Sequence, residues 1–188
     1  GAVAFATSTS PTMMQAIYGT PLQWVVMLAP IGLVFFLAAK VQSMRASTAQ
    51  TLFWVYAGSM GLSLAYVFAV YTGESVARVF FITAGAFAGL SLYGYTTKRN
   101  LSGMGSFLIM GVIGLLIAAV VNMFLESSAL QFAISVLGVL IFAGLTAYDT
   151  QKIKSIYVES DGTAVAEKKA IMGALTLYLD FINMFIFL

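Results

Sequence analysis

The sequence predicts an all-α membrane protein, and three observations carry that prediction. Apolar residues of the set AVILMFWYC make up 61% of the 188 residues and charged residues only 9%, against about 25% charged in an ordinary soluble domain. The apolar residues gather into runs that reach or approach the roughly 20 needed for a helix to cross a bilayer's hydrocarbon. Those runs lack the alternation over about ten residues that lipid-facing barrel strands require, which rules out a β-barrel. At about 25 to 30 residues per helix and loop, the length has room for six or seven spans and no separate soluble domain. Residues 1–188 therefore read as a single transmembrane helical domain.

The elements follow in order. Leu22 to Ala39 is the first full span, interrupted only by Pro30 and ending at Lys40. Thr51 to Tyr71 is the second, and Val76 to Tyr95 the third, which runs up to Lys98 and Arg99. Gly105 to Leu125, closed by Glu126, is the fourth. Leu130 to Ala147 is the fifth, continuing as helix through Asp149 towards Tyr157, and Ala170 to Leu188 is the sixth. Before them, GAVAFA at Gly1 to Ala6 reads as the last turns of an earlier helix, with no initiator Met and no basic segment to make it a signal peptide. The sixth span ends without a polar flank, so the chain is expected to be truncated at both ends.

Charge gives the orientation. Lys40 and Arg45 follow the first span, Lys98 and Arg99 the third, and Lys152, Lys154, Lys168 and Lys169 flank the loop after the fifth. The alternate loops hold Glu74 with Arg78, and Glu126 alone. The positive-inside rule makes the basic loops cytoplasmic and sends the C-terminus to the opposite face. Because the meaning of the net charge of +2 lies in that distribution, it gives no indication of nucleic-acid binding. Trp24, Trp54, Tyr18, Tyr56, Tyr71, Tyr95 and Tyr157 fall near span ends, as an interfacial aromatic belt does. The chain has no cysteine and no histidine, which excludes disulfides, thiol chemistry and imidazole-based acid–base or metal sites. Gly85 with Gly89 forms a small-xxx-small face, and Gly58, Gly61, Gly111, Gly114, Gly138 and Gly144 thin other helices for packing.

Asp149 and Asp180 are the functional lead, the only carboxylates placed inside apolar runs. An ionised carboxylate at mid-bilayer costs about 2.5 to 3.5 kcal/mol on the gentlest insertion scale, so it normally faces a partner or a watery path. The alternative is a neutral Asp acting as interhelical packing glue. Counted inward at 1.5 Å per residue, Asp180 lies about 16 Å from Lys169, and Asp149 roughly 9 to 12 Å from Ser155 to Tyr157. Helix tilt or lysine snorkelling closes that offset of one turn, so the two can meet. Two carboxylates about 4 Å apart repel by roughly 4 kcal/mol at an effective dielectric of 20 and should share one proton. Calcium, a hard cation that prefers oxygen ligands, suits such a site weakly, with Asp149 and Asp180 as ligands. Thr146 and Asn183 are candidate supporting oxygens, though each is more often an interhelical hydrogen bonder. The Val158 to Glu167 loop, with Glu159 and Asp161, reads as a solvated connector rather than a regulatory element.

The strings AYDTQKIK around Asp149 and LTLYLDFINMFIFL around Asp180 closely resemble the two signature segments of the Bax inhibitor motif membrane proteins, especially the bacterial members. The likeness extends over essentially the whole chain. It implies a bundle of seven transmembrane helices with the last one central, of which this chain holds six full spans and the end of the first. It also implies a bacterial inner-membrane location, and that Asp149 and Asp180 sense pH and control a calcium leak, with calcium as permeant ion and no tightly bound cofactor. The family pattern includes an arginine on an early helix that latches onto the pair. Arg45 is the candidate here, with Lys40 competing and an interfacial anchor as the plainer reading.

Two function classes follow. One is a pH-sensitive calcium leak channel without covalent chemistry. The other is an interaction protein, since relatives are associated with modulating a membrane-embedded ATP-dependent protease of the FtsH type and with suppressing cell death through partners. An intramembrane aspartyl protease would also use two aspartates on adjacent helices. However, AYDTQ and YLDFIN do not resemble the YD and GLGD pair of presenilin-type enzymes. A non-enzymatic role is therefore expected, with the lipid bilayer as the constant partner.

Overall fold

A computed structural model describes residues 1–41, 43–157 and 162–188. Those residues form α-helices and no strand: α1 (Ala2–Ser8), α2 (Pro11–Tyr18), α3 (Leu22–Lys40), α4 (Ala46–Val70), α5 (Gly73–Thr96), α6 (Ser102–Leu125), α7 (Ser128–Ile156) and α8 (Thr163–Phe187). The last six are each long and apolar enough to cross a membrane, and they coincide with the six spans read from the sequence. Their surface is as apolar as their interior. Phe124 is 83% exposed, Met123 74% and Phe107 70%, while Thr83, Thr146 and Asp180 are buried. That distribution suits a protein whose solvent is lipid, because exposed hydrocarbon costs nothing there whereas polar groups must find partners inside.

The sequence reading missed two features. Residues 11–18 form a separate helix, with Pro11 at its first position and the Ser10 hydroxyl accepting the Met13 N–H at 3.4 Å; at eight residues it is too short to show as a hydrophobic run. α8 starts at Thr163, seven residues before Ala170, so Thr163 to Glu167 belongs to a helix and not to a loop. Val158 to Asp161 lie outside the described residues.

The chain divides into two compact units. The first holds residues 1–78 with Gly162–Met172; the second holds the described residues from Val79 to the end of α7, with Gly173–Leu188.

In the first unit α4 packs on both α1 and α3. Gly61 admits α1, since a Cβ there would come within 2.8 Å of Val3 Cβ. Tyr56 is completely buried, so it is a core residue and not part of the aromatic belt, whereas Trp24 and Trp54 are 62% and 66% exposed as a belt requires. Tyr18 is half-buried and donates its hydroxyl to the Leu62 and Ser63 carbonyls. Burial raises its pKa above the usual value of about 10, so it remains a donor at physiological pH.

Pro30 lies in the middle of α3 without ending it. Proline has no N–H, so the carbonyl four residues earlier, that of Val26, loses its helical partner. The Ser63 hydroxyl of α4 donates to that carbonyl at 2.5 Å, and the defect is thereby satisfied from the neighbouring helix.

In the second unit the core is formed by Leu108 from α6, Phe142 and Leu145 from α7, and Met184 from α8, with Phe87 and Leu90 of α5 against it. Glycine sets the helix separations. A Cβ on Gly111 would lie 2.8 Å from Ile141 Cδ1, and one on Gly144 3.0 Å from Leu108 Cδ2. Gly94 is the tightest position, where an added Cβ would collide with the backbone carbonyl of Ala147, so α5 and α7 touch backbone to backbone. By contrast, a Cβ on Gly85, Gly89, Gly58 or Gly114 would meet nothing within 4 Å. The expected Gly85–Gly89 seam is therefore an exposed face, because glycines four residues apart arise readily in apolar sequence without a helix against them.

Two outcomes are expected. Ser63→Ala should lower stability by about 1 to 2 kcal/mol in the otherwise unchanged protein and by much less in Pro30→Ala, where residue 30 again supplies an N–H to Val26. Thermal unfolding of the four proteins in detergent gives this cycle directly; equal losses in both backgrounds would dissociate Ser63 from the proline defect. Gly94→Ala should destabilise by about 1 to 3 kcal/mol through backbone overpacking, while Gly85→Ala should be neutral or slightly stabilising. The same unfolding assay separates the two.

Candidate functional site: a carboxylate pair between the last two spans

α7 and α8 run antiparallel within the second unit, and their close contacts set the register. A Cβ on Gly173 would come 3.1 Å from Ile153 Cγ2, and one on Gly138 2.5 Å from the Phe187 ring. Phe142 stacks on Phe187 with ring centroids 5.8 Å apart and planes 18° from parallel. Between these contacts lie Asp149 and Asp180, with their carboxyl groups beside each other. Two carboxyl groups can hydrogen-bond to each other only when one of them carries a proton.

The surroundings of the pair are dry. Asp180 is 4% exposed, and among the described residues its Oδ2 has no hydrogen-bond partner. Phe181, the next residue, meets the rings of Phe80 and Phe87 edge-on at 5.8 and 5.5 Å, which fixes this face of α8 against α5. Asp149 is only half-buried and sits three residues before Lys152, in the part of α7 that leads to its basic end. One carboxyl is thus enclosed and the other lies towards the polar end of the helix, which is an arrangement suited to passing a proton or cation between a dry interior and water.

Thr146 is fully buried and donates its hydroxyl to the Phe142 carbonyl at 2.8 Å, while Asn183 donates its amide to the Leu179 carbonyl at 2.8 Å. Each thus gives a hydrogen to its own helix, a common use of such residues in apolar spans, and these bonds do not engage the side-chain oxygens as acceptors. Arg45 caps the start of α4 in the first unit with its side chain exposed, and Lys40 is exposed at the end of α3. The carboxylate pair belongs to the second unit. Two carboxylates fill only part of the roughly six to eight oxygen positions around calcium. No group of three His, Cys, Asp or Glu side chains converges among the described residues. A calcium ion at the pair would keep much of its water, as a passing ion does.

One residue escaped the sequence reading altogether. The Gln151 side chain accepts the Leu101 N–H at 2.9 Å and donates to the Arg99 carbonyl at 2.8 Å, clamping the α5–α6 loop to α7 half a turn from Asp149. Lys154 adds a second tie, with its Nζ on the Tyr95 carbonyl at 2.7 Å and 4.5 Å from the centre of the Tyr95 ring. The signal was legible as a stripe at helical spacing beyond the apolar run: Tyr148, Gln151, Lys152 and Ser155 share one face of α7.

Comparison with known proteins places the chain in a family. The family model for "Inhibitor of apoptosis-promoting Bax1" matches residues 1–188. The protein RP147 of Rickettsia prowazekii is 48% identical over 188 residues, covering 100% of this chain and 80% of its own. A Caulobacter vibrioides protein is 49% identical, covering 100% of this chain and 79% of its own. The inner membrane protein YbhL of Escherichia coli K12 is 43% identical, covering 99% and 81%. Matched by that family's model along its whole length and by inner-membrane kin across six apolar helices, the chain belongs to the Bax1 inhibitor family and is a multi-pass protein of the inner membrane.

Proposed function

We propose that this protein is a pH-sensitive, calcium-permeable leak channel whose gate is the Asp149–Asp180 pair. The observation that supports the reading is the meeting of two carboxyl groups inside apolar spans, one enclosed and the other nearer the basic end of α7. Loss of the shared proton leaves two adjacent carboxylates, which must separate or recruit a cation; either response loosens the α7–α8 contact. Regaining it restores the hydrogen bond and closes the path. Calcium is cargo in this account, drawn by a hard, divalent oxygen site too sparse to retain it. The charge alternation of the loops supports an orientation with the half-buried Asp149 end towards the cytoplasm and the C-terminus on the opposite side. No bond of a substrate is made or broken.

The test is calcium influx into proteoliposomes at pH 6, 7 and 8, with the original protein compared with Asp149→Asn plus Asp180→Asn at matched incorporation. The paired asparagines keep volume and hydrogen-bonding capacity but carry no proton switch. The original should leak more as pH rises, and the variant should lose that dependence. Flux no greater than that of empty liposomes at every pH would overturn the channel reading and leave a partner-binding role, such as modulation of a membrane-embedded ATP-dependent protease, as the better account.

A further inference from the structure

A second site lies at the basic end of the second unit. The α5–α6 loop and the last turns of α7 enclose a cleft of about 400 Å³, whose walls include Lys98, Arg99, Asn100, Ser102, Tyr148 and Lys152. At roughly 30 Å³ per molecule of liquid water, that volume holds about a dozen waters, or a tetrahedral oxyanion with a small group attached. Three cationic residues line it, and no carboxylate does so among the described residues.

The collection of like charge is built into the fold. Gln151 holds the loop backbone at Leu101 and Arg99 through its two hydrogen bonds, so Lys98 and Arg99 cannot move away from α7 without breaking them. The loop is further shaped by its own side chains, with Thr97 Oγ1 accepting the Arg99 N–H at 3.3 Å and Asn100 Oδ1 accepting the Ser102 N–H at 2.9 Å. On the opposite wall Lys152 lies 5.9 Å from the centre of the Tyr148 ring. That ring fits against α6 because residue 105 is glycine; a Cβ there would lie 2.5 Å from Tyr148 Cζ. Lys154 is directed to Tyr95 instead, so the α7 lysine that reaches the cleft is Lys152.

We propose that this cleft binds a phosphate group. The donors available are a guanidinium fork, two ammonium groups, and the hydroxyls of Ser102 and Tyr148, which suit the tetrahedral oxygens of a phosphate monoester or diester better than a single planar carboxylate. Such a phosphate comes from one of two sources, the headgroup of an anionic lipid beside the helices or a soluble phosphorylated compound. The site is independent of the proposed channel activity.

The experiment uses the full chain and two probes. In detergent, inorganic pyrophosphate is titrated and followed by 31P NMR. In nanodiscs made from equal parts phosphatidylglycerol and phosphatidylcholine, the lipid retained after gentle release is identified by native mass spectrometry. Each probe is applied to the original, Lys98→Gln plus Lys152→Gln, Ser102→Glu, and Lys40→Gln, with thermal unfolding confirming that each variant is folded. Lys40 is a basic residue at the end of a different span and is absent from the cleft. Saturable pyrophosphate binding that weakens at least tenfold in the first two variants and is unchanged in Lys40→Gln identifies a soluble phosphate as the ligand. Selective retention of phosphatidylglycerol, lost in the same two variants only, identifies the lipid headgroup. Binding of neither probe, or equal loss in Lys40→Gln, overturns the proposal and reduces the cluster to interfacial anchors.

Discussion

A polar group inside hydrocarbon can be satisfied only by the protein itself, and most of this structure follows from that constraint. Water is absent from the spans, so each hydroxyl, amide and carboxyl placed there needs a partner on its own helix or the next. Thr83 and Thr146 turn their hydroxyls onto carbonyls four residues back, at 2.8 Å in both cases. Ser63 reaches across to the carbonyl that Pro30 strands. Asp149 and Asp180 stand side by side under the same demand, and two carboxyls can satisfy each other only through a shared proton. The structural hydrogen bonds and the candidate gate therefore differ in kind rather than in strength: threonine and serine bonds are fixed by covalent structure, whereas a bond between two carboxyls exists only while one of them is protonated.

How much of this was legible in the sequence depends on the range of the interaction. The six spans were readable because hydropathy sums over some twenty residues, and their observed limits differ from the reading by a few residues except at α8. α2 was not, because a helix of eight residues leaves a pattern too short to stand out. The aspartate pair was readable because a carboxyl in an apolar run is conspicuous whatever surrounds it, and the signature strings gave the two residues a common context. Their contact also required an antiparallel register, which Gly138 and Gly173 set by admitting Phe187 and Ile153. Glycine itself was a poor guide. Gly94, which brings α5 onto the backbone of α7, carries no mark in the sequence to distinguish it from Gly85, which touches nothing. Gln151 was overlooked for a related reason: an amide beyond the end of an apolar run looks like any solvated residue until the loop it holds is seen.

Membership of the Bax1 inhibitor family accords with the reading of the fold. The family model covers residues 1–188, the whole of the apolar frame. Within that frame the second unit concentrates the chemistry. α5, α6, α7 and the end of α8 share one core, and the same four helices supply the carboxylate pair, its aromatic wall and the basic cleft.

α7 contains 29 residues, which at 1.5 Å per residue extend about 44 Å, against a hydrocarbon thickness of about 30 Å. The excess is more than two turns of continuous helix. It is fastened to the α5–α6 loop through Gln151 and to α5 through Lys154, and it crosses α5 in backbone contact at Ala147, two residues from Asp149. Mechanically this is a braced strut: held at three points, the stretch of α7 that carries Asp149 cannot tilt without carrying the α5–α6 loop and the end of α5 with it.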